Sequence, residues 1–498
     1  MSNDLNCIRE QILNQVRNVL ENQDIQSTDN LIEAGINSRK AMDLLYQLKE
    51  AGFPVSLKLL LSIKSIDDLI EKLEDIEHTK RQQETELKET LDSIRKVVYE
   101  LAQEREGLTE DEELRRNNYL KEVETTKLIG PKSYQHILIT GSTGFLGSHI
   151  AMELLKHTSY QLYLLVRGKS KEACEEKIKR IWTEYAMEDV YSAYKERVTI
   201  VQGDITATKL GMDVNQYNTL ASTIDCIIHS AAIVSHVEPW EHYQKVNIDG
   251  TKAVLKFASY IKRKDINYIS TIATEFTQER IRDSRLFYEE AIPDESTSIL
   301  YVKSKIECEK LMESYRKKGF GIKIFRMGFL VHNYETGRFQ TNADENAFIQ
   351  VLTLMNRMKA FPVLTSQIID LTYVDEAARA VTLLFDKQDN VGIYHIFNSS
   401  RISIKDIGSA VMEKDRNISM YSVDEFLKFL DDERSKYSLE LEQLSIMMMT
   451  KSGVDLNAFA LSKNEKTSKL LNEMKFQWHS FDQKAINDLY SIIKGKDE

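Results

Sequence analysis

The sequence predicts a small all-α domain of four helices, then a doubly wound α/β domain: a parallel sheet with helices on both faces and a smaller C-terminal lobe. Three observations predict it. Residues 1–77 place apolar side chains at three- and four-residue spacing between short polar breaks, and residues 78–132 are dominated by charge. From residue 133 onward, short β-branched and aliphatic runs alternate with helical patterns, the signature of a parallel sheet covered on both sides.

The elements follow in order. CIREQILNQVRNVL reads as the first helix and SIDDLIEKL as the last of the first domain. Between them NLIEAGINSRKAMDLL, residues 30–45, changes from turn-like to helical at Ser38. A serine suits that junction because its oxygen accepts one of the orphan N–H groups of a helix start. In the charged segment Leu87, Leu91, Ile94, Val98 and Leu101 step by four, three, four and three. So short a seam does not establish a coiled coil, and the segment reads as a helical linker with its apolar stripe laid on a neighbour. Thr109 and Glu112 have capping-box spacing and open another helix. Strands are then read in QHILIT, YQLYLLV, RVTIVQG, DCIIHSA, INYIST and GIKIFRMG, which puts the sheet core at about 133–330 and the substrate lobe in later segments.

Composition excludes several functions. At 29% charged and 42% apolar residues the chain is globular, and no apolar run approaches the ~18–20 residues of a membrane helix. MSNDLNCIRE lacks a basic start followed by an apolar stretch, so a cytoplasmic location is expected. Cys7, Cys174, Cys226 and Cys308 are far apart and read as reduced; the histidines form no HExxH or clustered pattern, so no metal is expected. A net charge of −11 argues against nucleic acid as a partner while leaving room for a local basic pocket.

The chemistry falls after residue 133. HILITGSTGFLGSHIAMELL sets Gly141, Gly144 and Gly147 between a strand and a helix, the context a dinucleotide site requires. Gly141 permits the tight turn, Gly144 the approach of a pyrophosphate and Gly147 close helix–strand packing, with the helix N-terminus facing the negative charge. Thr140, Thr143, Phe145 and Leu146 complete this candidate cofactor loop. The second strand ends in Arg167, where an acid would bind a ribose 2′-hydroxyl; an arginine suits a 2′-phosphate instead, so NADPH is expected over NADH. Lys177 is a second candidate cation, on a helix where a solvated side chain is the competing reading.

SILYVKSKIECEKL places Tyr301 and Lys305 four apart on one helix face, and INYIST ends a strand with Ser270 and Thr271 at the ligand-binding edge of the sheet. A free phenol, with a pKa of about 10, is a poor acid at neutral pH. A neighbouring ammonium favours the phenolate, so Lys305 is expected to lower the Tyr301 pKa, while Thr271 shares in holding a developing oxyanion.

From about 133 to the end the chain resembles the thioester reductase domains that close some nonribosomal peptide synthetases and carboxylic acid reductases, extended short-chain dehydrogenases on a Rossmann-type sheet. GSTGFLGSHI, LLVRG, VQGD, HSAA, NIDGT, IST, YVKSK and DLTYVDEAARAV carry the resemblance. It implies Asp204 beside the adenine, Ala231 where the cofactor lies close, and Asn247 in support. Met327 stands where relatives commonly have proline. With that reductase following, DNLIEAGINSRKAMDLL resembles the attachment site of acyl, peptidyl and aryl carrier domains, matched at Gly35, Asn37 and Ser38.

The resemblance implies covalent 4′-phosphopantetheine on Ser38 and reductive release of a carrier-bound acyl or peptidyl thioester by NADPH, giving an aldehyde, or an alcohol after a second hydride. It implies a phosphopantetheinyl transferase and a separate adenylation, condensation or other acyl-loading protein as partners, with no membrane; a monomer is expected. The charged helical insert at 169–198 is the candidate surface for the carrier, with a solvated surface as the competing reading. A fatty acyl-CoA reductase acting on free thioester, a non-catalytic NADP-sensing protein and a redox-silent thioester cyclase remain as alternatives.

Overall fold

Apolar periodicity shapes both halves of the chain. The computed structural model describes residues 2–494 apart from 32–33, 35, 37, 54, 56–58, 61–62, 74–75, 103–107, 235–237, 276, 278–285, 290–291, 294–295, 298, 344–345, 365–367, 401, 439, 442–443 and 445–460. Internal contacts divide it into two units, residues 1–99 with 422–451 and residues 100–421 with 452–498.

In the first unit, helices α1 (Ser2–Leu20), α2 (Ser38–Glu50) and α3 (Ile66–Leu73) close one apolar core. It is filled by Ile12 and Val16 of α1, Leu44, Leu45 and Leu48 of α2, and Ile66, Leu69 and Ile70 of α3, residues three and four apart on each helix. Helix α2 begins at Ser38 itself. Gly35 and Asn37 lie outside the described residues. Helix α4 (Ile76–Ala102) buries Leu91, Ile94 and Val98, the central part of the heptad-like stripe. Helix Val423–Asp432, opened by a Ser422–Glu425 capping box, belongs to this unit, and Lys49 of α2 reaches Ser438 at 3.4 Å.

The second unit begins in the charged segment. Helix α5 (Glu110–Thr125) is opened by the expected capping box, with Thr109 accepting from the Glu112 N–H and the Glu112 side chain accepting from the Thr109 N–H. The strands used below are β1 (His136–Thr140), β2 (Gln161–Val166), β3 (Val198–Gln202), β4 (Cys226–His229), β5 (Asp265–Thr271), β6 (Leu286–Phe287), β7 (Ile322–Met327), β8 (Ile393–Ile396) and β9 (Leu461–Ser462). All but β6 and β9 form one seven-stranded sheet in the order β8-β7-β5-β4-β1-β2-β3, every neighbouring pair parallel. The seventh strand, β8, comes from beyond residue 330, where the sequence pattern ends the core. Strands β6 and β9 pair separately.

Alternation along the strands builds the two layers. Ile137 and Ile139 enter one core and Leu138 the other. Helices α6 (Phe145–His157) and α7 (Lys171–Glu184) pack on the first side, and α8 (Leu300–Arg316) on the second through Cys308 and Met312. Helices α9 (Val374–Leu384) and α10 (Glu465–Glu473) complete the first layer. Strand order reverses between β1 and β4, and in such folds ligands bind outside the carboxyl ends of the strands at that crevice.

Candidate active site

The glycine loop sits at the reversal. Gly141 leaves β1 with φ +76°, and a Cβ there would meet the Ala231 backbone nitrogen at 2.6 Å. At Gly147 a Cβ would lie 2.1 Å from the Gly141 carbonyl oxygen, so only glycine lets α6 approach this closely. Gly144 differs from both. It is the exposed N-cap of α6, its N–H donates to Gly141 O at 2.9 Å, and a Cβ would find that oxygen at 3.2 Å, a tight contact but a looser one than at the other two.

Phe145 packs its ring on His149, Tyr185 and Phe339, and Leu146 is buried, so neither side chain is open to a ligand and only their backbone N–H groups, in the first helical turn, could serve one. Thr143 is half-buried at the mouth of the loop. Ser142 Oγ is buried and has no hydrogen-bond partner among the described residues. An orphaned hydroxyl beside a helix N-terminus and a glycine cradle fits the pyrophosphate of a dinucleotide.

Thr140 has a different task from the one its motif suggests. Its hydroxyl lies 2.7 Å from His229 Nδ1 and accepts from the Ala231 N–H at 3.3 Å, tying β1 to the end of β4 from a fully buried position. His229 Nε2 is 3.0 Å from the Thr251 hydroxyl, and burial, with the Lys305 charge nearby, pushes this imidazole down to about 3. His229 is therefore a neutral structural link. Neither it nor Thr251 is legible as such from the sequence.

At the end of β2 Arg167 is exposed, and Lys177 of α7 folds back so that Nζ is 3.5 Å from the Arg167 carbonyl oxygen. Partial burial and the repulsion of Arg167 lower the Lys177 pKa, so the two cations share one patch, which suits a phosphate. Asp204 Oδ1 accepts from the Thr206 N–H and hydroxyl, both at 2.8 Å, and so shapes its own turn. Asn247 lies in a π-helical turn, Gln244–Asp249. It accepts from the Ile233 N–H at 2.8 Å and donates to Ile233 O at 3.1 Å and Ser304 Oγ at 2.9 Å, clamping the segment after Ala231 to α8.

Tyr301 and Lys305 stand one turn apart on α8, both buried, against the end of β5. The Thr271 hydroxyl accepts from the Ala273 N–H at 3.2 Å, leaving its hydrogen for the Tyr301 oxygen. Burial pushes the phenol up, and that hydrogen bond pulls it the other way. Lys305 does not supply the lowering that the sequence pattern suggests. Its Nζ donates to Ile269 O at 3.0 Å and approaches the Tyr268 hydroxyl at 3.4 Å, while burial lowers the ammonium to about 8. Ser270 points to the other side of the strand and donates to Glu309 at 2.6 Å, so Thr271 alone of that hydroxyl pair meets Tyr301. Met327 closes β7 buried in the core, paired across the sheet with Thr271 and Ile396.

Among the described residues no group of three or more His, Cys, Asp and Glu side chains could hold a metal ion, and no helix is long and apolar enough to cross a membrane.

Comparison with known proteins follows the same division. Residues 139–381 match the NAD-binding family described as Male sterility protein, and residues 10–73 match the family described as Phosphopantetheine attachment site. One of the proteins that make up the linear gramicidin synthase of Brevibacillus parabrevis is 25% identical over 473 residues, 94% of this chain and 9% of that protein. The L-2-aminoadipate reductase of Schizosaccharomyces pombe is 24% identical over 295 residues, 57% of this chain and 20% of that protein. The chain thus spans a small fraction of the length of these relatives. Among solved structures, a thiolation-reductase di-domain from an archaeal non-ribosomal peptide synthetase aligns with TM-score 0.68 and 23% identity, covering 98% of this chain and 97% of its own. The terminal R domain of the myxalamid PKS-NRPS pathway aligns with TM-score 0.63 and 24% identity over 73% of this chain and 92% of its own.

Proposed function

We propose, from the premise that this chain joins a phosphopantetheine-attachment domain at 10–73 to an NAD-binding reductase domain at 139–381, that it reductively releases an acyl or peptidyl group held as a thioester on its own carrier domain. The observation that carries the reading is that Thr271, bonded to Tyr301, and buried Lys305, seated on Ile269 O, gather at the carboxyl end of β5, two strands from the glycine loop that ends β1.

Ser38, at the start of α2, is the attachment position, where the helix N-terminus favours the negative charge of a phosphodiester. Gly141 to Gly147 would hold the pyrophosphate of the dinucleotide and Arg167 with Lys177 its 2′-phosphate, which selects NADPH. When bound, the dihydronicotinamide supplies a hydride for the thioester carbonyl carbon. Thr271 and Tyr301 hold the carbonyl oxygen as negative charge develops, and Tyr301 gives it a proton. Lys305, seated on Ile269 O, ties the helix that carries Tyr301 to β5. When the resulting thiohemiacetal collapses, the carbon–sulfur bond breaks, the carbonyl re-forms as an aldehyde, and the thiolate takes a proton to leave the free arm. A phosphopantetheinyl transferase installs the arm, and an acyl-loading partner charges it.

Intact mass after treatment with such a transferase and coenzyme A is the first test: one phosphopantetheine is expected, and none in Ser38→Ala. The acyl-loaded chain is then expected to oxidise NADPH, and Tyr301→Phe to abolish this. Equal oxidation by Ser38→Ala given free acyl-CoA, with no turnover of the carrier-bound group, would identify an acyl-CoA reductase instead.

A further inference from the structure

A buried chain of polar contacts runs inside the second unit from α5, ahead of the sheet, to the strand that carries Thr271. It starts at Tyr119, 2% exposed, whose hydroxyl donates to Glu289 at 2.7 Å. Glu289, 1% exposed, follows β6 and lies between Thr271 and Tyr301 in sequence. The partners of its carboxylate among the described residues are all donors: Tyr119, the N–H groups of Lys466 at 2.9 Å and His395 at 3.3 Å, and both the N–H, at 3.0 Å, and the hydroxyl of Thr467. Helix α10 receives no side-chain cap from its own Asn464, so Glu289 satisfies the orphan N–H groups of its first turn from a distant part of the chain.

His395 continues the chain. Its Nδ1 lies 2.7 Å from the Lys463 carbonyl oxygen, which puts the proton on Nδ1 and leaves Nε2 to accept from Arg326 at 3.2 Å. Arg326 in turn donates to both oxygens of Glu309, at 2.6 Å and 3.0 Å, with both side chains fully buried. Glu309 accepts the Ser270 hydroxyl at 2.6 Å. Ser270 adjoins Thr271, and Glu309 follows Lys305 by one turn of α8 and Tyr301 by two.

Desolvation offsets much of the attraction in a buried ion pair, so the Arg326–Glu309 pair is a poor source of stability. A two-pronged contact between planar groups does supply register. The register here is that of α8 against β5 and β7, which means Tyr301 and Lys305 against Thr271.

We propose that Tyr119 and Glu289 are positioning residues of the reductase: they lock α5 into a buried polar chain whose far end holds Ser270 and Glu309, and so sets Thr271 against Tyr301 and Lys305. The region ahead of the sheet is then part of the enzyme's catalytic support as well as a connection between domains. The inference rests on the reductase reading for its rate measurements and on the structure alone for the rest.

The test uses the full chain carrying Tyr119→Phe, which deletes one hydroxyl and keeps the ring against Leu286 and Tyr288, together with Ser270→Ala at the far end. In Tyr119→Phe, amide hydrogen exchange at 265–275 and 300–312 is expected to rise about threefold or more, with 161–182 unchanged and the NADPH Kd within about twofold. On an acyl thioester kcat is expected to fall about five- to tenfold at constant KM, and the double variant to be no slower than the worse single one. Glu289→Gln, which turns a donor toward donors, is expected to show the same exchange pattern more strongly. Exchange that quickens only in α5 and α10, or rate losses that multiply, would overturn the proposal. A wild-type chain inert toward acyl thioesters would refute the proposed function and leave exchange to decide this one.

Discussion

Lys305 donates to the carbonyl oxygen of Ile269 at 3.0 Å, which anchors α8 to β5 two residues before Thr271. Burial lowers this ammonium from 10.5 to about 8, so its charge is lost within an accessible range. Turnover is expected to fall as pH rises through about 8, because the ammonium that holds α8 to Ile269 O beside Tyr301 and Thr271 loses its charge. Lys305→Met is expected to lower kcat by about a hundredfold and to erase that basic limb of the pH–rate profile. Stability has the opposite sign. With its folded pKa below the unfolded one, Lys305 costs stability while charged, and that cost fades as pH rises from about 8 toward 10.5. Thermal melts of wild type and Lys305→Met across that window should converge.

Two of the three loop glycines are expected to fail differently. Gly147→Ala drives a methyl into the Gly141 carbonyl, so both the fold and NADPH binding suffer, by about 1–3 kcal/mol of stability or more. Gly144→Ala meets a 3.2 Å contact that a shift of a few tenths of an ångström relieves and should melt within about 1 kcal/mol of wild type while binding NADPH at least tenfold more weakly, as the proposed pyrophosphate seat at this exposed N-cap requires. Denaturant melts and cofactor titrations of the two variants separate packing from binding.

Arg167 and Lys177 share one cationic patch at the end of β2. A charge-assisted hydrogen bond contributes about 1.5–3 kcal/mol, so Arg167→Ala is expected to raise the NADPH Kd by about tenfold or more and leave the NADH Kd within about twofold. Lys177→Ala should act in the same direction. Titration of both dinucleotides against both variants checks the selectivity directly.

What can be read in advance follows the range of the interactions. The cofactor loop, the Thr109–Glu112 cap and the Tyr301–Lys305 pair are all set within a few residues, by turn chemistry and helical spacing, and each is legible in a single line of sequence. Tyr119, Glu289, His395 and Arg326 are not, because their partners lie far along the chain: Tyr119 finds Glu289 170 residues on. One signal is present. Lys323 and Arg326 interrupt the aliphatic strand IKIFRM, and a buried cation there demands a buried anion, met by Asp389 and Glu309. Motif alone marks Thr140 and Lys305, yet their immediate partners, His229 and Ile269 O, emerge only once β1, β4 and β5 are side by side. The grouping of 422–451 with the first helices likewise has no sequence signal.

The central claim is that the carrier-bound thioester leaves by reduction. The most direct measurement loads the phosphopantetheinylated chain with an acyl group, adds NADPH deuterated at the transferable position, and follows one turnover by mass spectrometry of the product and of the Ser38 peptide. The account predicts an aldehyde carrying one deuterium and a free thiol on the arm, with Tyr301→Phe leaving the thioester intact. Release of the acyl group as an undeuterated acid, or a thioester that survives saturating NADPH in the wild-type chain, would contradict it.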